Sequence, residues 1–462
     1  MFPYLYHPGP IVPIEGAKHM QKTIATAART AMKRCDLLAG LSEEPDYITR
    51  RFATPPMHEV HEVISSWLRN IGMTVQIDAI GNLIGRYDYR SANGDKPHSH
   101  DHRNADGDKP RPYDYRRHTL LLGSHLDTVR NAGKYDGVLG IMIALACLER
   151  LYERGERLPF SIELIGFADE EGSRYQSVYI GSKAITGTFD PHDLNLLDEN
   201  CISLAEAVSL FGGNPDPQVL RTPRWSHSEL LGYCEVHIEQ GPVLEAHNLP
   251  LAVVSSIVGQ QRVILQLTGE PGHAGTLPME MRRDALCAAA ELTLAVETLG
   301  QSIPGLVATV GQLHVQSAAC NVVPGQVQLS LDIRHEDDRQ REQCTSQLYE
   351  RAQRICIERN IGLKWEIIQN SPTVTCSPTL VQRWQQALSE EGYSAFTLAS
   401  GAGHDGVTMS TLTDIAMLFV RCRGGISHHP AESVLEEDVA AAIAVLERFL
   451  LLTAKGVLDE CV

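Results

Sequence analysis

The stretch LLLGSHLDTVRNAGKYDGVLG, residues 120–140, sets His125, Asp127 and Asp136 directly behind a run of apolar residues. An imidazole nitrogen and a hard carboxylate oxygen together suit Zn²⁺ or Mn²⁺. Asp127 lies two residues beyond His125, on the same face of an extended chain, where it can accept the imidazole N–H and fix its tautomer. A strand-end cap with solvated charges would use the same residues, so this motif alone leaves both readings standing. FADEEGSRY adds Glu170 and Glu171 after a second apolar strand. Adjacent carboxylates are costly there without a cation. One could bind metal while its neighbour takes a proton from a water; an acidic surface turn is the plain alternative. GYCEVHIEQGPVLE supplies His237, Glu239 and Gln240, and GGISHHPAES supplies His428 and His429. A single strand histidine is more often a packed core residue than a ligand. Together, however, these segments offer His, Asp, Glu, His and His, enough for two metals that share one carboxylate.

The elements that must position these groups read as alternating strands and helices. HTLLLGSHLD and FSIELIGFADEEG each read as a strand followed by a functional turn, with a strongly apolar helix, GVLGIMIALACLERLYERG, between them. That order predicts a mostly parallel sheet covered on both faces, with ligands beyond the carboxyl ends of its strands. Residues 20–72 read mostly as helix, with an apolar stripe at Val60, Val63, Ile64, Trp67, Leu68 and Ile71. TVQIDAIGNLIGRYDY reads as two strands joined near Gly81-Asn82. From 259 to 370 the pattern becomes β-α-β-β-α-β, which predicts an inserted ferredoxin-like domain. Helix-like stretches at 378–391 and 435–454 then return to the first pattern. The expected organisation is a discontinuous α/β catalytic domain, 1–258 and 371–462, interrupted by the domain 259–370. Between 87 and 117 the chain turns polar and repeats itself, with YDYR and GDKP each occurring twice. A duplicated solvated loop explains this better than a metal site at His98, His100 and His102.

The formal net charge of −17 repels phosphate backbones and argues against nucleic acid. A small anionic substrate then needs a local cation. Eleven cysteines without a C-x-x-C suit reduced thiols in a cytoplasm. No apolar run is long enough to span a membrane, and MFPYLYHPGPIVPIEGAKHM lacks the layout of a signal peptide.

The motifs GSHLDT, GKYDGVLG, ADEEGSR, HIEQGPVLE, GHAGTLPM, NVVPG, LDIR, SGAGHD and GISHHPAES resemble the dinuclear amidohydrolases of the aminoacylase and carboxypeptidase-like metallopeptidase group. More narrowly, they are similar to the branch containing allantoate amidohydrolase, N-carbamoyl-L-amino acid hydrolase and β-ureidopropionase. The likeness runs from about residue 30 to the end, apart from the 87–117 loop. It implies that His125 and His237 hold one metal, Glu171 and His428 the other, and that Asp136 bridges them. It makes Glu170 the general base and lets Asp127 orient His125. His273 would stabilise the oxyanion, reaching an active site across a homodimer, and the inserted domain would serve as dimerisation and lid domain. Gln240, Asn321, Arg334 and His404 would bind substrate, with Arg334 facing its carboxylate. His429 stands where the family usually has Asn, and Gly406 where Ala is common. The expected reaction is hydrolysis of a ureido C–N bond, of allantoate first and of N-carbamoyl-L-amino acids or a β-ureido acid as the alternative. An aminopeptidase or dipeptidase fits less well, because such enzymes usually carry a carboxylate where His237 stands.

Overall fold

The structure, a computed structural model, describes residues 15–89 and 118–459. The polar segment carrying His98, His100 and His102 lies outside the described residues. The described chain divides into two compact units. One comprises the residues up to Val254, Cys376–Thr397 and those from His404 onward; the other comprises Ser255–Thr375 and Leu398–Gly403.

The first unit is built on a sheet whose strands run in the order Thr74–Ile77, Leu83–Tyr87, Ser161–Phe167, Thr119–His125, Leu230–Ile238, Ile415–Val420 and Leu251–Ile257. The middle four are mutually parallel. Every residue of Thr119–His125 and Ser161–Phe167 is buried, as parallel strands covered on both faces require. The first two strands form the hairpin expected around Gly81-Asn82. Its turn is tied by Asp78, whose Oδ1 accepts the amides of Ile80, Gly81 and Asn82.

Helix Val138–Glu153 is buried on nearly every side, which is why its sequence is apolar all round rather than along one stripe. At Gly140 it lies so close to strand Leu230–Ile238 that a Cβ would overlap the Val236 carbonyl oxygen. The expected helical stretch 20–72 is two helices, Glu15–Ala39 and Pro55–Asn70. Helices Pro378–Glu390 and Glu436–Asp459 meet through the stacked rings of Trp384 and Phe449, with centroids 4.1 Å apart. A smaller apolar core around Phe52, Tyr175, Phe189 and Val208 gathers the short helices of residues 180–220.

The second unit has four antiparallel strands in the order Gly362–Ser371, Gly259–Thr268, Gln326–His335 and Val307–Val315. Helices Ala285–Ser302 and Asp338–Glu358 complete a β-α-β-β-α-β chain order, the ferredoxin-like arrangement. Each helix begins at an aspartate, Asp284 or Asp337, whose side chain accepts two free backbone amides. Val327, Leu329, Leu331 and Ile333 alternate inward along one strand and share a core with Ala288, Leu292, Leu348 and Ile355 of the helices.

Among the described residues no helix is long and apolar enough to cross a membrane.

Candidate functional site

The parallel strands deliver three segments to one end of the sheet. His125 is the last residue of its strand, His237 lies one residue from the end of the next, and Glu170 and Glu171 follow, after two intervening residues, the strand that ends at Phe167. Asp136 arrives from the loop before helix Val138–Glu153, and His428 from the turn after Ile415–Val420. The loop can reach His125 because Gly137 has φ 67 and no side chain; a Cβ there would stand 2.5 Å from His125 Cε1.

Asp136 is the centre of the cluster. Its Oδ1 lies 3.4 Å from His125 Nε2 and 3.1 Å from His237 Nε2, and those two nitrogens are 3.4 Å apart. Its Oδ2 lies 3.2 Å from His428 Nε2, which is 3.3 Å from Glu171 Oε1. The carboxylate thus faces two separate donor sets, His125/His237 and Glu171/His428.

The donor chemistry fits a divalent ion in each set. His125 Nδ1 lies 3.0 Å from the Asp127 carbonyl oxygen, and His237 Nδ1 lies 2.9 Å from that of Ile238. Carbonyls only accept, so both rings carry their proton on Nδ1 and turn the Nε2 lone pair inward. Two lone pairs and the buried Asp136 Oδ1, which has no hydrogen-bond partner among the described residues, then converge. A shared cation resolves that repulsion. Burial opposes charge on His125, but Asp136, Glu170 and Asp127 outweigh it and raise its affinity for a proton well above the usual range. A metal ion competes for the same place.

Asp127 works differently from the sequence expectation. Its carboxylate is 3.7 Å from His125 Nδ1, while its backbone carbonyl takes the ring N–H. The fully buried carboxylate accepts the amides of Glu170 and Glu171 at 3.0 and 3.1 Å. It therefore fixes the turn that aims both glutamates. Burial raises the pKa of Glu170 well above the carboxylate range, against the nearby His125 and with the help of Glu171. A carboxylate with that bias is suited to hold and return a proton.

The other expected residues fall in two places. Gln240, held at φ 57, donates to Asp136 Oδ2 at 2.9 Å and so touches the cluster itself. His404 is buried with its ring 4.5 Å from that of His237. Burial, then His237, holds its pKa well below the usual range, so it is neutral. His273, Asn321 and Arg334 belong to the second unit. There the Ala274 amide donates to the Asn321 carbonyl, and His273 Nδ1 accepts from the Gly275 amide, leaving Nε2–H as a donor. Arg334 spends Nε and Nη2 on Asp332 and Nη1 on the Gly401 carbonyl, so its fork is already engaged.

Three residues of the conspicuous motifs resolve as scaffolding. Glu239 caps the helix Val243–Ala246 by accepting the amides of Val243 and Leu244. His429 Nδ1 accepts the Ala431 amide, the bond that an Asn oxygen would make from this position. Glu235 is buried and accepts from Ser124 and Tyr233. Two residues beside Asp136 carried no expectation, Ser427 and Glu432. Both lie inside GISHHPAES, where the paired histidines dominate the signal.

The chain matches peptidase family M20/M25/M40 over residues 121–452. It is 35% identical to allantoate deiminase of Arabidopsis thaliana over 464 residues, covering 94% of this chain and 84% of that one. It is 37% identical to N-carbamoyl-L-amino acid amidohydrolase of Geobacillus stearothermophilus over 411 residues, covering 88% and 94%. Its fold is similar to the solved structure of a hydantoinase/carbamoylase family amidase from Burkholderia multivorans, with a TM-score of 0.80, 28% identity, and coverage of 92% and 98%. With most of its length inside that match, and with named relatives that are an allantoate deiminase and an N-carbamoyl-L-amino acid amidohydrolase, the chain belongs to peptidase family M20/M25/M40 and is a hydrolase acting on C–N bonds.

Proposed function

We propose that this protein hydrolyses a ureido C–N bond of allantoate, in a homodimer that holds two divalent ions, Zn²⁺ or Mn²⁺, per subunit. The observation that carries this reading is Asp136 with a separate donor set at each oxygen, in a chain similar to allantoate deiminases. His125, His237 and Asp136 would hold one ion, and Asp136, Glu171 and His428 the other. When bound, the ions supply Lewis acidity that lowers the pKa of water. Glu170 accepts the water's proton as the water oxygen bonds to the ureido carbon, and returns it to the nitrogen as the C–N bond breaks. The released carbamate decomposes to CO₂ and ammonia, and the remaining product keeps its amine. His273 donates Nε2–H to the oxygen where negative charge develops, serving the site of a second copy. Arg334 pairs with the substrate carboxylate, releasing part of its contact with Asp332, while Gln240, Asn321 and His404 position the ureido group. The unpaired thiols among the described residues fit a reducing cytoplasm.

The second reading, hydrolysis of N-carbamoyl-L-amino acids, draws on the equally similar Geobacillus relative. Ammonia release from allantoate and from an N-carbamoyl-L-amino acid, measured side by side on Mn²⁺- and Zn²⁺-loaded protein, separates the two. The proposal expects turnover of allantoate, with kcat reduced about 10²–10⁴-fold in Glu170→Gln. Turnover of the carbamoyl amino acid alone would keep the mechanism and overturn the substrate. Silence on both would overturn the ureido reading.

A further inference from the structure

The geometry points to Glu432 as the positioning residue that sets Asp136 between its two donor sets, an inference that rests on the dinuclear reading above. Glu432 is 3% exposed, four residues after His428. Its Oε1 accepts the amides of Tyr135 and Asp136 at 2.7 and 3.1 Å. Its Oε2 lies 3.3 Å from Ser427 Oγ, and that hydroxyl lies 2.8 Å from Asp136 Oδ2. One carboxylate thus grips the backbone of the bridging residue and, through Ser427, touches the side chain of the same residue. It also ties the loop carrying Asp136 to the loop carrying His428.

A buried carboxylate beside a second carboxylate is unfavourable unless its bonds are needed. The packing shows that the place is made for it. A Cβ on Gly133 would overlap both the carboxyl group and the Cβ of Glu432, so the side chain cannot step aside. Gly133 is therefore a remote handle on the Glu432 carboxylate. It is not itself a proposed ligand, yet filling it must displace Glu432. Supporting groups of this kind change metal affinity roughly 10–100-fold when they are lost.

The test is calorimetric titration of the metal-stripped protein with Mn²⁺ alone, with the thermal midpoint of each stripped variant recorded alongside. Glu432→Gln, Glu432→Ala and Gly133→Ala should each weaken Mn²⁺ binding roughly 10–100-fold while the stripped proteins stay folded. Gly133→Ala should cost little further in a Glu432→Gly background, where neither the carboxyl group nor the Cβ that it strikes remains. Should Glu432→Ala fail to fold, Glu432→Gln and Gly133→Ala carry the comparison. Unchanged affinity in the Glu432 variants, or an equal cost of Gly133→Ala in both backgrounds, overturns the inference. Asp136→Asn separates the two levels. If it alone destroys binding, only the role of Glu432 falls; if it leaves binding intact, the dinuclear reading falls and takes this inference with it.

Discussion

Asp127 shows how far residue types alone carry. A His-x-Asp pair at a strand end pointed to a carboxylate–imidazole bond, and both residues do stand at the site. The bond, however, goes to the backbone carbonyl, and the side chain anchors Glu170 and Glu171. Spacing identifies which residues gather; it does not say whether main chain or side chain makes the contact. The difference has a measurable consequence. Asp127→Asn keeps the His125 tautomer but can hold only one of the two glutamate amides. We expect kcat to fall roughly 10–100-fold, with occupancy at His125 and His237 retained. Equal loss of Mn²⁺ binding and of kcat would instead return the carboxylate to His125. Ser427 and Glu432 stayed hidden for a related reason. A hydroxyl and a glutamate have no identity as ligand supports until the loop is folded back on Asp136.

At the scale of elements, strong periodicity was the readable part. The all-apolar helix Val138–Glu153 and the alternating strand Gln326–His335 lie where their patterns place them, because burial on all sides or on one face leaves a direct imprint. The short helices of residues 180–220 left no such imprint; each spans only four to seven residues, too few to show a helical stripe. Helix Pro55–Asn70 contains a polar exception, His61, buried 5.3 Å from the Phe211 ring. Burial, with smaller contributions from His58 and Arg50, pushes its pKa down to about 3. The unfolded chain, with a pKa of about 6.5, binds that proton more readily, so stability falls as pH drops from about 6.5 toward 3. Between pH 7.5 and 5 this amounts to about 2 kcal/mol. Urea midpoints at the two pH values should therefore lie closer together in His61→Leu than in the wild type. An unchanged gap would mean that His61 already carries its proton when folded.

For the whole molecule, the sequence disclosed two kinds of folding unit because their element orders differ. The short return Leu398–Gly403 into the second unit was not legible, since nothing in its composition marks it. The two units have separate cores, and the proposed ligands all lie in the first. Differential scanning calorimetry should then show chelation lowering the transition of the first unit alone. An ion present at a hundredfold its Kd stabilises by about 2.7 kcal/mol, so the shift should be several degrees. A shift confined to the second unit's transition would contradict the ligand assignment. The strand order carries one more consequence, which concerns the growing chain on the ribosome. Ile415–Val420 lies between Leu230–Ile238 and Leu251–Ile257, so a strand made late must enter the middle of the sheet. From residue 238 to residue 415 is 177 residues, about 9–35 s of synthesis at about 5–20 residues per second. Throughout that interval the nascent protein presents a long, apolar, unpaired strand edge, the kind of surface that chaperones exist to cover.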